Sequence, residues 1–262
     1  MKLLLLLLTP LLLFSKVHYA KVEPFENLTL KSAVSAQVTR ANIRQEGTTV
    51  SGSIIKLDDK LDKIKLASSR ASIKLINTMI ATNQEILASL QESQSRQEEY
   101  YYRISGIASA SRTQKDNAFY GFTNAKTQYF STKEKIDSLK KQKLDLNYEV
   151  ARLKESIAKK SIVVKNKFLY KLLVNKGDFV NMGTPLAQLK DLTSAKLVLF
   201  LEAEELKDIK KRTIYIDDKP TKYKISKIWK IADEKFISSY RTEIVIKHPK
   251  EGFSKLLKVE FK

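Results

Sequence analysis

Ala118, Phe122, Ala125, Tyr129, Thr132, Ile136, Leu139, Lys143, Leu146, Val150, Leu153 and Ile157 follow one another at alternating steps of four and three residues. An average step of 3.5 residues keeps one stripe of a helix facing a partner helix, so this run reads as a coiled-coil seam, with Lys143 its one charged member. A second, looser run precedes it: Leu57, Leu61, Ile64, Ser68, Ala71, Leu75, Met79, Thr82, Ile86, Leu90, Ser93, Gln97, Tyr100 and Ile104. The stretch from Ser105 to Arg112 is built of small, turn-permissive residues, and Thr113-Gln114-Lys115-Asp116 reads as a capping box opening the second helix. The expectation is an antiparallel α-helical hairpin over residues 57–160 with its tip near 104–113.

On either side of the hairpin the sequence repeats itself. Gly47, Val50 and Gly52 before it, and Gly177, Val180 and Gly183 after it, follow one design: a glycine, a valine three residues on, a second glycine, then apolar residues leading to an acid. Each copy reads as a strand, a turn whose glycine accepts positive φ, and a second strand. Such units are too small to bury a core singly, whereas two packed face to face can. The predicted fold class is therefore α+β, with first and second halves of a small sandwich at 21–56 and 161–192. Residues 193–262 continue in β, through Lys196 to Leu201, Thr213 to Ile216, Tyr223 to Ile231, Thr242 to Lys247 and Leu256 to Phe261, with a short helix expected from Glu204 to Ile209. An antiparallel β-barrel is the simplest assembly, with Trp229 in its core.

Composition narrows the function. The chain has 262 residues, no cysteine, two histidines and a formal charge of +19. Without cysteine there is no thiolate metal site or cysteine nucleophile, and with only His248 beyond the N-terminal segment a histidine-based site has little material. The chain is expected not to be an enzyme and to carry no metal or cofactor. Its lysines are spread along the chain and interleaved with acids, as in Glu134-Lys135 and Lys140 to Asp145, which describes solvated helix faces rather than a nucleic-acid reading surface. The series Lys222, Lys224, Lys227 and Lys230 suits an exposed strand guarded by charge, or a contact with an acidic protein surface or anionic lipid.

Met1-Lys2 followed by the apolar run Leu3 to Phe14 reads as a secretory signal peptide over residues 1–20, with Ala20 at the cleavage position; an uncleaved anchor stays open as the alternative. About 12 apolar residues at ~1.5 Å each fall short of a ~30 Å bilayer core.

Two half-motifs interrupted by a long helical hairpin resemble the membrane fusion proteins, the periplasmic adaptor subunits of bacterial tripartite efflux and secretion pumps. The stretch Gly177 to Asp191 follows that family's glycine, valine, glycine, leucine spacing. The resemblance implies a lipoyl-like β-sandwich carrying the hairpin, a β-barrel domain after it, and a hairpin tip directed to a TolC-like outer-membrane channel. It also implies an inner-membrane transporter of the RND or ABC type as partner, self-assembly as a hexamer or trimer of dimers, and a periplasmic, inner-membrane-associated location. In such adaptors the tip carries an arginine, a leucine four residues on and a serine seven after that. Arg103 and Ile107 fall on the first two places and Gln114 on the third, with Thr113 the nearest hydroxyl. Arg103, Ser105, Gly106, Ile107 and Thr113 are thus the expected channel contacts, although Arg103 also suits a helix C-terminus and Thr113 a helix cap. A coiled-coil envelope scaffold without a transport role is the alternative.

Overall fold

The computed structural model describes residues 16–236, 238–249 and 252–262. The apolar run expected to serve as an export leader lies outside the described residues. The elements in chain order are β1 (Val17–Lys31), β2 (Ala36–Ala41), β3 (Thr48–Leu57), α1 (Lys60–Ser105), α2 (Arg112–Lys159), β4 (Ser161–Leu172), β5 (Phe179–Val180), β6 (Pro185–Glu202), β7 (Ile214–Ile216), β8 (Lys219–Pro220), β9 (Ile225–Ala232), β10 (Ser239–Lys247) and β11 (Leu256–Phe261). The class is α+β, with two long helices and antiparallel strand pairing.

The helical hairpin grows out of one strand pair. In the β3–β4 ladder Lys56 pairs with Ser161, and the Leu57 amide donates to the Lys160 carbonyl at 2.8 Å. The chain therefore leaves the sheet and returns to it at neighbouring positions. Asp58 opens α1 by accepting from the Lys60 amide at 3.0 Å. Register shifts in β3, between Val50 and Gly52 and between Ser53 and Ile55, mark β-bulges. The second bulge breaks the alternation of faces, and Ile54 and Ile55 are consecutive yet both buried. Gly52 (φ +106) sits at the first bulge within β3, where the sequence suggests a turn between two strands. In the second copy the turns are present: Gly177 (φ +101) precedes β5 and donates to the Val38 carbonyl, and Gly183 precedes β6 and donates to that of Ser32, both at 2.8 Å.

Two cores follow. Val38, Val50, Ile54, Ile55, Leu57, Leu169, Val180, Leu186 and Leu189 belong to the first. Ala20, Val22, Leu197, Leu199, Leu201, Ile244, Leu257 and Val259 belong to the second. Strand β6 serves both: alternation places Ala187 and Leu189 in the first and Ala195, Leu197, Leu199 and Leu201 in the second, while Leu186, buried out of step beside Ala187, also belongs to the first. Strand β1 accompanies it, pairing with β6 from Val22 to Lys31 and with β11 from Val17 to Lys21. The expected leader boundary after Ala20 falls inside β1.

Two local expectations do not survive. The segment 204–209 forms turns followed by a 3₁₀ turn at Ile209–Lys211 in place of a helix, with Asp208 in the left-handed region at φ 58. Trp229 is half-exposed on β9, where Lys227 Nζ lies 4.3 Å and the Arg241 guanidinium 5.0 Å from its ring centre. Outside the second core, the indole is covered by cations on its face instead of by aliphatic neighbours.

Candidate functional site: the helical hairpin and its tip

Along α2 every position of the expected seam is buried or half-buried; Ala118, Ala125, Ile136, Leu139, Val150 and Leu153 are the most enclosed. Along α1 the seam differs from the expected one. Asp62, Leu66, Ser69, Ile73, Ile76, Ile80, Asn83, Leu87, Leu90, Gln94, Gln97, Tyr101 and Ile104 face α2. These step by four and three without interruption, whereas the apolar residues that suggested the other register, Leu61, Ile64, Leu75, Met79 and Ile86, are exposed; Leu75 is 63% exposed and its neighbour Ile76 8%. The expected series keeps to the outer stripe through Ile86 and first reaches the true seam at Leu90, by the second of two consecutive steps of four from Thr82 through Ile86. Polar residues in the true seam hid it: Ser69 and Asn83 are buried, and Asn83 turns its side-chain amide back to the Met79 carbonyl at 2.7 Å.

Charge closes the base of the hairpin. Asp62 accepts from Ser156 Oγ at 2.8 Å and pairs with Lys160 at 2.9 Å. Burial raises its pKa, but these partners outweigh it and the net value lies below the usual carboxylate range. One turn inward, Glu149 on α2 receives Arg152 at 2.8 Å and Lys65 of α1 at 2.9 Å, and hydrogen bonds from Arg152 and then Lys65 hold its pKa down to about 2.

At the other end aromatic rings join the arms. Tyr101 stacks on Phe122 with centroids 5.9 Å apart and planes at 8°, and meets Phe119 at 5.8 Å. A Cβ on Gly121 would lie 2.9 Å from Gln97 Oε1, so the missing side chain lets α1 come close just below the rings. Beyond them the chain turns through Gly106 to Ser111, with Ile107 N–H donating to the Ile104 carbonyl at 3.2 Å and Ala110 N–H to the Ile107 carbonyl at 3.3 Å. The capping box sits earlier than expected. Ser111 Oγ accepts from the Gln114 amide at 3.2 Å, and the Gln114 side chain accepts from the Ser111 amide at 2.8 Å. Thr113 is thus an exposed residue inside the first turn of α2 and does not cap it. The spacing of Ser111 and Gln114 carried this signal in the sequence, one serine upstream of the threonine chosen.

Of the expected contacts, Arg103 lies in the last turn of α1 with its guanidinium 5.7 Å from the Tyr100 ring, and Ile107 is 42% exposed at the turn. Ser105 closes α1 and is half-buried, and Gly106 keeps a right-handed φ of −77. The tip therefore offers a cation, an aliphatic side chain and small residues on an end stiffened by aromatic packing. No cluster of three or more potential metal ligands occurs among the described residues. No described helix is long and apolar enough to cross a membrane.

A β-rich base built on two cores, projecting one long antiparallel helical hairpin, is the fold of the membrane fusion proteins. MacA from Actinobacillus actinomycetemcomitans has it, with a TM-score of 0.72 at 13% identity, over 95% of this chain and 78% of that one. The membrane fusion protein Spr0693 from Streptococcus pneumoniae R6 matches with a TM-score of 0.59 at 9% identity, over 95% and 99% of the respective chains. A MacA-MexA chimeric protein containing the Pseudomonas aeruginosa MexA α-hairpin domain matches with a TM-score of 0.55 at 14% identity, over 95% and 81%. No family model and no curated protein matches the sequence, and at these identities the likeness is one of fold.

Proposed function

We propose that this chain is a periplasmic adaptor of a tripartite efflux or secretion pump, joining an inner-membrane transporter of the RND or ABC type to a TolC-like outer-membrane channel through its hairpin tip. One observation carries the reading: a helical arm of 46 residues, returned by one of 48, stands on a β base and ends in a ring-stiffened tip. At ~1.5 Å per residue the arm is about 70 Å long, a reach suited to spanning a periplasm and longer than two cores of this size need for stability. In this reading the first core is a lipoyl-like sandwich that fixes both hairpin ends, the second a β-barrel domain, and Arg103, Ser105, Gly106 and Ile107 meet the channel. Thr113, exposed next to the capping serine, lies within reach of the same surface.

Self-assembly is part of the proposal. The outer α1 stripe of Leu61, Ile64, Leu75, Met79 and Ile86 is exposed among the described residues, and α2 exposes Tyr120, Phe130, Leu144 and Tyr148. Different faces meeting from copy to copy make a head-to-tail contact, the kind that closes into rings such as a hexamer.

A photo-cross-linker at Ile107 in the envelope should capture an outer-membrane channel, and Arg103→Asp at unchanged expression should weaken that capture. Capture undiminished by Arg103→Asp would remove Arg103 from the contact. Export of the pump's substrates unaffected by loss of the chain would favour the envelope-scaffold alternative.

A further inference from the structure

The N-terminal strand passes straight through the expected cleavage position. Val17, His18, Tyr19, Ala20 and Lys21 pair in unbroken antiparallel register with Glu260, Val259, Lys258, Leu257 and Leu256 of β11. Ala20, the residue after which a leader peptidase would cut, is 1% exposed and belongs to the second core with Val22, Leu257 and Val259. The residues before it are also engaged. His18 Nε2 lies 2.6 Å from Glu205 Oε1, and its ring meets Phe261 edge-on at 6.1 Å. Lys16 Nζ reaches Glu202 at 2.8 Å and Glu205 at 3.6 Å.

A leader peptidase acts on an extended chain before folding, so burial would not prevent the cut; its product would be a chain lacking the first four residues of β1, Val17 to Ala20. In that product β11 would keep its pairing of Val259, Glu260 and Phe261 with Ile216, Tyr215 and Ile214, and on the β1 side Lys21 opposite Leu256 alone. From Leu257 to Glu260 that edge would be an open row of backbone donors and acceptors beside the second core. The sequence offers an earlier point. Ser15 is small and directly follows the apolar run, with Leu13 two residues before it, whereas a cut after Ala20 places His18 in that position.

We propose that the export leader ends no later than Ser15, and that residues 17–21 are a permanent strand segment of the exported protein, with Lys16 held just before it. If the leader is removed at that point, hydrolysis of the Ser15–Lys16 amide leaves a carboxylate on Ser15 and a new α-ammonium on Lys16. That new cation would arise on the residue whose side chain already lies beside the carboxylates of Glu202 and Glu205. The inference rests on export to the envelope and is independent of any transport role.

The test is fractionation of cells expressing the full chain, followed by mass spectrometry of the N-terminal peptide from the envelope fraction. An N-terminus at Lys16 or upstream is the expected result; one anywhere downstream of Lys16 overturns the inference while leaving the adaptor reading in place. Retention in the cytoplasm with Met1 intact overturns both. A second measurement addresses the strand itself: a protein beginning at Lys21 should melt at lower temperature than one beginning at Lys16, and equal melting would show that the strand is dispensable.

Discussion

Tyr101 is the residue on which the end of the hairpin depends, because it touches Phe119 and Phe122 on the opposite arm at once. Aromatic pairs contribute about 0.5–1.5 kcal/mol each beyond their burial, so Tyr101→Ala is expected to loosen the tip by about 1–3 kcal/mol. Hydrogen exchange should then speed up around residues 97–122, with amides at the hairpin base unchanged. At the β base, Asp191 accepts from Lys167 Nζ at 2.7 Å and from Thr193 Oγ1 at 2.6 Å. Those bonds, Lys167's first, hold its pKa down to about 2 from an ordinary value of 3.8. A folded-state pKa below the unfolded one stabilises fully above the unfolded value and is lost as pH falls through the folded one. Melting temperature should accordingly fall between pH ~4 and ~2, and Asp191→Asn should flatten that part of the profile.

At the scale of the element, the hairpin separates what hydrophobic pattern reveals from what it conceals. Helix α2 carries one apolar stripe, and its seam is legible to the residue. Helix α1 carries two, which merge at Leu90, and the one facing outward is as rich in large aliphatic residues as the one facing α2. A pattern weighs hydrophobicity but cannot tell a partner within the chain from one outside it, so the register of Leu61, Leu75 and Met79 wins over that of Ser69, Ile76 and Asn83. The cap was misplaced for a related reason: two hydroxyl residues, Ser111 and Thr113, each stand three before a capping-box candidate, and only backbone geometry decides between them. All four paired glycines take positive φ, where steric rules leave few other residues, yet only the second copy uses both as turns, since Gly52 lies at a bulge inside β3. The register makes a sharp prediction. Ile76→Ala should lower the stability of the monomer by about 2–4 kcal/mol. Leu75→Ala, one residue away, should change it by less than about 0.5 kcal/mol. Urea titration of the two variants measures the contrast, and in concentrated protein the order should reverse for self-association if the outer stripe is the contact between copies.

For the whole molecule, the pairing of Lys56 with Ser161 means that the β base does not need the hairpin to hold its own strands in register. Replacing residues 58–160 by a short turn containing Asn-Gly should leave a folded protein with the circular dichroism of β-structure and a single thermal transition. An unfolded product would show that α1 and α2 nucleate the sheet. The two cores are less separable from each other. They share β1 and β6, whose ladder runs from the pair Val22 and Leu197 to the pair Lys31 and Pro185. A force drawing the cores apart along this ribbon would load those bonds side by side in shear rather than opening them one at a time. Tension arriving from a distant attachment would therefore be carried by the ribbon as by a strap, and the three-residue pairing of β7 with β11 should yield before it.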